Sequence, residues 1–176
     1  AVWLMVLYVA DELSYDRFHA QADRIYRVTQ QAEWATGSFK LASTSAPFAP
    51  ALQNEYPEIE KTVRISAEGG GKIRYGEKQV DAFDVYFTDA SVFDIFTYPF
   101  IYGDPATALR EPQKIVLTKT LAVRLFGDAS KAMGQTVFFS NNFPNVVTGV
   151  IEDVPANSHL HFSALRSRSE ERRVGK

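Results

Sequence analysis

The sequence predicts an α+β fold, with a mixed or antiparallel sheet and short helices packed on it. Three observations point there. Aromatic residues make up 13% of the chain, with 13 Phe and 8 Tyr, a composition that favours strands and a packed interior. Short apolar or alternating runs recur between Gly, Pro and Asn clusters, as strands of a sheet do. The stretches with helical spacing are brief, and Pro57 and Gly127 stop two of them. At 176 residues the chain can bury roughly 70% of the surface its unfolded form exposes, enough for one domain with a true core.

The first ten residues, Ala1 to Ala10 (AVWLMVLYVA), carry no charge. A spanning helix needs about 20 such residues, so this run supplies about half of one. It reads either as a buried core helix or as the last turns of a membrane helix, with Trp3 and Tyr8 suited to the interface. Asp11, Glu12 and Asp16 follow, with Arg17 as the one early cation. Membrane helices keep Lys and Arg on the cytoplasmic side, so an acidic exit points to the other face.

A helical turn is expected around residues 18–22 and a strand over 23–34 (DRIYRVTQQAEW). Ser45 and Pro47 open a helix whose Phe48, Leu52 and Tyr56 share one face until Pro57 ends it. A strand over 61–66 leads to a glycine turn at 68–71. A hairpin of 72–75 and 79–85 then turns around Gly76. Residues 88–96 form a short helix and 98–105 a loop. Ile115 to Leu117 is an apolar strand, after which Thr118 caps a helix through Leu121, Leu125 and Phe126, closed by Gly127. Strands over 135–140 and 145–154 flank a polar turn. From Ala164 to Lys176 the texture changes: five basic and two acidic residues accumulate in a chain whose net charge is −2. That basic tail reads as a solvated helix, a disordered end or a translated adaptor scar.

Several function classes are excluded at this level. A net charge of −2 gives no basic face for nucleic acid. With no cysteine there are no disulfides, thiolate metal sites or cysteine nucleophiles. Gly69-Gly-Gly-Lys72 is not a phosphate loop, because Ile73 stands where Ser or Thr is required and Ser66 where the first Gly is. His159 and His161, with Glu152 and Asp153 nearby, are the weak candidates for a metal. Alternating histidines after a turn are more often surface or hydrogen-bonded groups. Asp16, His19 and Asp23 lie at helical spacing but have no nucleophile beside them. They read better as caps, or as partners of Arg17 or Arg24. No catalytic residue, no cofactor and no enzyme activity is expected.

Four stretches carry a resemblance. Asp11 to His19 (DELSYDRFH) leading into Ala22 to Val28 (ADRIYRV), Phe96 to Leu109 (FTYPFIYGDPATAL), Ile115 to Gly127 (IVLTKTLAVRLFG) and Val147 to Phe162 (VTGVIEDVPANSHLHF) together resemble MacB/FtsX-type ABC transporter permeases, especially bacteroidete-like ones. The likeness runs in register over roughly residues 1–163. It implies the end of a first transmembrane helix at 1–14, an incomplete extracytoplasmic core domain of porter-like βαβ units at 15–163, and a non-native or disordered tail at 164–176. It places the chain on the extracytoplasmic side of a bacterial inner membrane.

The partners it implies are a cytoplasmic ABC ATPase, a second permease subunit in a homodimer or heterodimer, a periplasmic adaptor or outer-membrane partner, and lipid around residues 1–10. ATP would be hydrolysed in the ATPase. No functional site of the family maps residue by residue. The expected link between membrane and domain is a continuous helix from Leu4 to Phe18, including Leu13, Tyr15, Asp16 and Phe18, anchored to the sheet by a strand at Ile25 to Thr29. The alternative is the ligand-binding domain of a membrane-anchored sensor, and the substrate of a permease stays open.

Overall fold

The computed structural model describes residues 2–34, 37–67, 71–82, 84–139 and 142–168. The chain begins with α1 (Val2–Glu12) and a 3-10 turn at Ala22–Arg24, followed by β1 (Gln30–Trp34), β2 (Gly37–Leu41) and α2 (Phe48–Glu55). Then come β3 (Ile65–Ala67), β4 (Gly71–Tyr75), β5 (Lys78–Ala82), β6 (Val85–Thr88), α3 (Val92–Ile95) and β7 (Phe100–Gly103). The last part holds β8 (Lys114–Thr118), α4 (Lys119–Phe126), β9 (Thr136–Phe139), β10 (Phe143–Ile151) and β11 (Ala164–Ser167).

Nine strands among the described residues form one mixed sheet in the order β3-β6-β11-β8-β10-β9-β4-β5, with β7 also on β10. The pairs β8/β10 and β6/β11 are parallel and the others antiparallel. Strand β10 serves three partners because it is long. β8 runs along one edge, and the other edge is shared by β9 at residues 143–146 and β7 at 149–151. The α+β class and mixed sheet expected from the sequence are both present.

Both faces of this sheet are covered, which explains why Ile115 to Thr118 is buried without a break. Successive side chains point to opposite faces. Ile115, Leu117, Val150 and Ala164 therefore join Leu121, Ala122 and Leu125 of α4 in one core. Val116, Ile151 and Leu165 join Val92, Tyr98, Leu109 and Phe162 in a second core on the opposite face. Helix α4 ends at Gly127, whose φ of 81° is the left-handed closure a glycine permits. Thr118 occupies the cap position without a side-chain bond. Its role passes to Asp153, which accepts from the Thr120 N–H at 3.0 Å and from the Thr120 hydroxyl at 2.7 Å.

The structure corrects five expectations. The helix expected to run from Leu4 to Phe18 stops at Glu12, where Ser14 donates back to the Asp11 carbonyl through both its N–H and its hydroxyl. The strand expected over 23–34 shrinks to β1, so Ile25 to Thr29 anchors nothing to the main sheet. β1 pairs only with β2, in a separate two-stranded ribbon. The strand expected at 61–66 starts only at Ile65. The loop expected at 98–105 contains β7, whose Gly103 (φ 95°) lets two backbones meet, since a Cβ there would lie 2.4 Å from the Thr148 carbonyl oxygen.

The fifth correction concerns the tail. The domain does not close at 163, because β11 lies in mid-sheet with all four residues buried. Arg166 is accommodated there over the rings of Phe87 (4.6 Å) and Phe139 (5.1 Å), with its Nε donating to Asn145 Oδ1 at 3.0 Å. The glycine turn at 68–70, the turn residues 140–141 and the tail from 169 onward lie outside the described residues.

Candidate functional site: the junction after the first helix

Helix α1 is apolar and buries nothing. Trp3 is 81% exposed, and Val2, Leu4, Met5, Leu7 and Tyr8 are nearly as open. No helix among the described residues is long and apolar enough to cross a membrane. At 11 residues and about 1.5 Å per residue, α1 spans about half of a hydrocarbon core of about 30 Å.

The chain then turns sharply into the domain. Asp16 has φ 57°, a left-handed backbone that a non-glycine residue adopts at a cost of about 1 kcal/mol unless its surroundings hold it. They do hold it. The Asp16 N–H donates to the Asn157 carbonyl at 2.9 Å, and Asn157 Nδ2 donates to the Ser14 carbonyl at 3.0 Å. The Asp16 carboxylate accepts from the Ser158 hydroxyl (3.1 Å), the His159 N–H (3.0 Å) and His159 Nδ1 (2.7 Å). Burial pushes the Asp16 carboxyl up, but the His159 N–H, its ring and the Ser158 hydroxyl together hold it below the ordinary range. The ring of Tyr15 lies 4.8 Å from that of His159.

A second contact is apolar. Phe18 packs into the core that contains Tyr98 and Phe162, and His19 is 4% exposed. The Thr97 N–H donates to His19 Nδ1 at 3.0 Å, so that nitrogen is unprotonated and the neutral ring carries its proton on Nε2. Ala20 N–H returns a bond to the Thr97 hydroxyl at 2.9 Å. Burial holds His19 below the usual histidine value, and it pushes the Tyr98 hydroxyl, which has no partner among the described residues, well above the tyrosine value.

The residues singled out from sequence separate into three groups. Tyr15, Asp16 and Phe18 meet the domain, whereas Leu13 stays 60% exposed and donates its N–H to the Val9 carbonyl. Asp16 takes His159 as partner rather than Arg17 or Arg24, and Arg24 pairs with Glu60 at 2.6 Å. The suggested metal set is pulled apart: Glu152 faces Lys119, Asp153 caps α4, and His159 holds Asp16 while His161 is exposed. Among the described residues no group of three His, Asp or Glu is placed for a metal. Sequence reasoning missed Thr97, Asn157 and Ser158 as partners of this junction. Their only signal was membership in the stretches Phe96 to Leu109 and Val147 to Phe162.

Comparison with known proteins agrees with this architecture. The model of the MacB-like periplasmic core domain matches residues 1–172. The chain belongs to that family.

Among solved structures, this MacB-like domain is similar to a domain of a putative permease protein from Porphyromonas gingivalis. The TM-score is 0.65 and the identity 24%, over 73% of this chain and 59% of that one. The likeness shows a shared fold, and this chain spans about three-fifths of the other. The periplasmic region of MacB from Actinobacillus actinomycetemcomitans aligns at TM-score 0.49 and 21% identity, covering 68% of this chain and 52% of that one. No curated protein matches the chain.

Proposed function

We propose that this MacB-like domain is the extracytoplasmic part of an ABC transporter permease subunit in a bacterial inner membrane. It couples movement driven by a cytoplasmic ATPase to export, or to partners on the extracytoplasmic side. The observation that carries the reading is the contrast at the N-terminal junction. An apolar helix with no burial of its own runs within a few residues into a segment hydrogen-bonded to the domain. Exposed apolar surface on every side of a helix suits lipid or neighbouring membrane helices. The chemistry of ATP is assigned to the ATPase, and a second permease subunit completes the transporter.

The test is to purify the full-length protein from membranes through a tag on its own sequence. Recovery of an ATPase subunit, and nucleotide hydrolysis by the pair, is the expected result. Recovery of a signalling module fused to the same chain, with no ATPase, would move the assignment to a sensor. In an active pair, Leu13→Pro removes the N–H that bonds Val9 at 2.9 Å. Hydrolysis is then expected to continue while transport falls at least tenfold.

A further inference from the structure

Two stretches that carry the family likeness, Asp11 to His19 and Val147 to Phe162, lie far apart in the chain and meet at one place. Asn157, Ser158 and His159 sit in the connection between β10 and β11. Those two strands flank β8 on either side at the middle of the sheet. Whatever holds residues 157–159 is therefore tied to the most deeply buried part of the domain. What they hold is the turn just after α1.

That hold is almost entirely polar. Asp16 and Asn157 exchange bonds with one another's segment through backbone and side chain, and the Asp16 carboxylate gathers the donors of Ser158 and His159. Leu13 is exposed, and the ring of Tyr15 meets only that of His159 among the ring contacts at this point. Hydrogen bonds to a charged carboxylate are directional and short-ranged. They fix orientation without the large buried area that would make the join inseparable.

We propose that Asp16 is a positioning residue, a peg through which the 157–159 loop holds α1 in a fixed direction, so that helix and sheet move as one body. This inference rests on the permease reading for its purpose, but not for its geometry. It replaces the continuous helical lever with a turn whose stiffness comes from across the chain. Phe18 and His19, docked on Thr97 and Tyr98 in the connection that leads into β7, form the second point of attachment. Two points of attachment define a direction where one would leave a swivel.

The experiment uses the full-length protein in lipid nanodiscs, with spin labels at Met5→Cys in α1 and Arg124→Cys on the exposed side of α4. With Asp16 intact, one narrow distance distribution is expected, unchanged when the ATPase is trapped with ADP and vanadate. With Asp16→Asn the distribution should at least double in width, while the thermal midpoint of the domain moves little. If that variant fails to accumulate, Ser158→Ala combined with His159→Ala removes the donors instead, with the same expectation. A narrow distribution in a clasp variant, or a broad one in the parent, overturns the inference. Absence of any ATPase partner overturns the permease reading alone, because the label distance still decides whether the peg is rigid.

Discussion

The main sheet and the stretch from residue 20 to residue 64 are built from similar sequence but meet opposite fates. Ile115 to Thr118 is buried at every position. Among its described residues, the 20–64 stretch contains two strands, a 3-10 turn and one α-helix and buries none. Yet it is rich in aromatics, with Tyr26 83%, Trp34 69% and Phe48 43% exposed. The pairing of β1 with β2 puts Ala32, Trp34, Phe39 and Leu41 on one face of the ribbon and Gln31, Glu33, Ser38 and Lys40 on the other. The amphipathic pattern is complete, but nothing described here covers its apolar side. The difference teaches that pattern sets which face is apolar, while topology decides whether that face is buried.

Unfolding experiments can sharpen or break that division. The largest effect is expected in the double-sided core. Leu117→Ala, at a fully buried site, should cost about 3 kcal/mol in urea unfolding. Gly103→Ala comes next, at about 1–3 kcal/mol, because it combines a positive φ with a backbone oxygen 2.4 Å from the new carbon. Asp153→Ala should cost about 1 kcal/mol by uncapping α4, read from faster amide exchange in its first turn.

Acid should act on the junction before the sheet. His19 is held neutral with a lowered pKa, so the unfolded chain binds its proton more readily. Stability is then lost as pH falls from about 6.5 towards the native value. Asp16, also lowered, adds a second loss as pH falls below about 3.9. Loosening that started above pH 7 would contradict both assignments. The smallest effect belongs to the ribbon: Trp34→Ser with Phe39→Ser should change stability by no more than about 0.5 kcal/mol. A loss several times larger would mean that the ribbon is packed on the domain after all.

Much of the sheet was legible from local pattern. The hairpin around Gly76, the β8–α4 unit with its glycine stop, and the β9/β10 pair each announce themselves within about a dozen residues. What was not legible depended on partners distant in sequence. Phe100 to Gly103 follows Pro99 and looks like a loop until the second half of β10 takes it up as a strand. Arg166 looks like part of a basic tail until Phe87, Phe139 and Asn145 surround its guanidinium. At the junction, sequence pointed to Tyr15, Asp16 and Phe18 as the membrane exit. It could not show that Asp16 is held by residues 142 and 143 positions away. The two alternating histidines read from sequence as surface or hydrogen-bonded groups, and it took the structure to show that His159 has Asp16 as its partner.

The position of β11 has a consequence for the order of assembly. Among the described strands, β6 and β8 do not pair with each other. The segment β3-β6 and the segment β8-β10-β9-β4-β5 are joined only because β11 slots between them. That strand is the last of these to be synthesised, and its parallel partner β6 was made some eighty residues earlier. Pairings of such long range are slow to form. A chain delivered amino end first would therefore hold two unjoined half-sheets, with Val116 and Tyr86 at open edges, until residues 164–167 arrive to close the gap. During that interval the domain is a substrate for chaperones and proteases rather than a finished machine part.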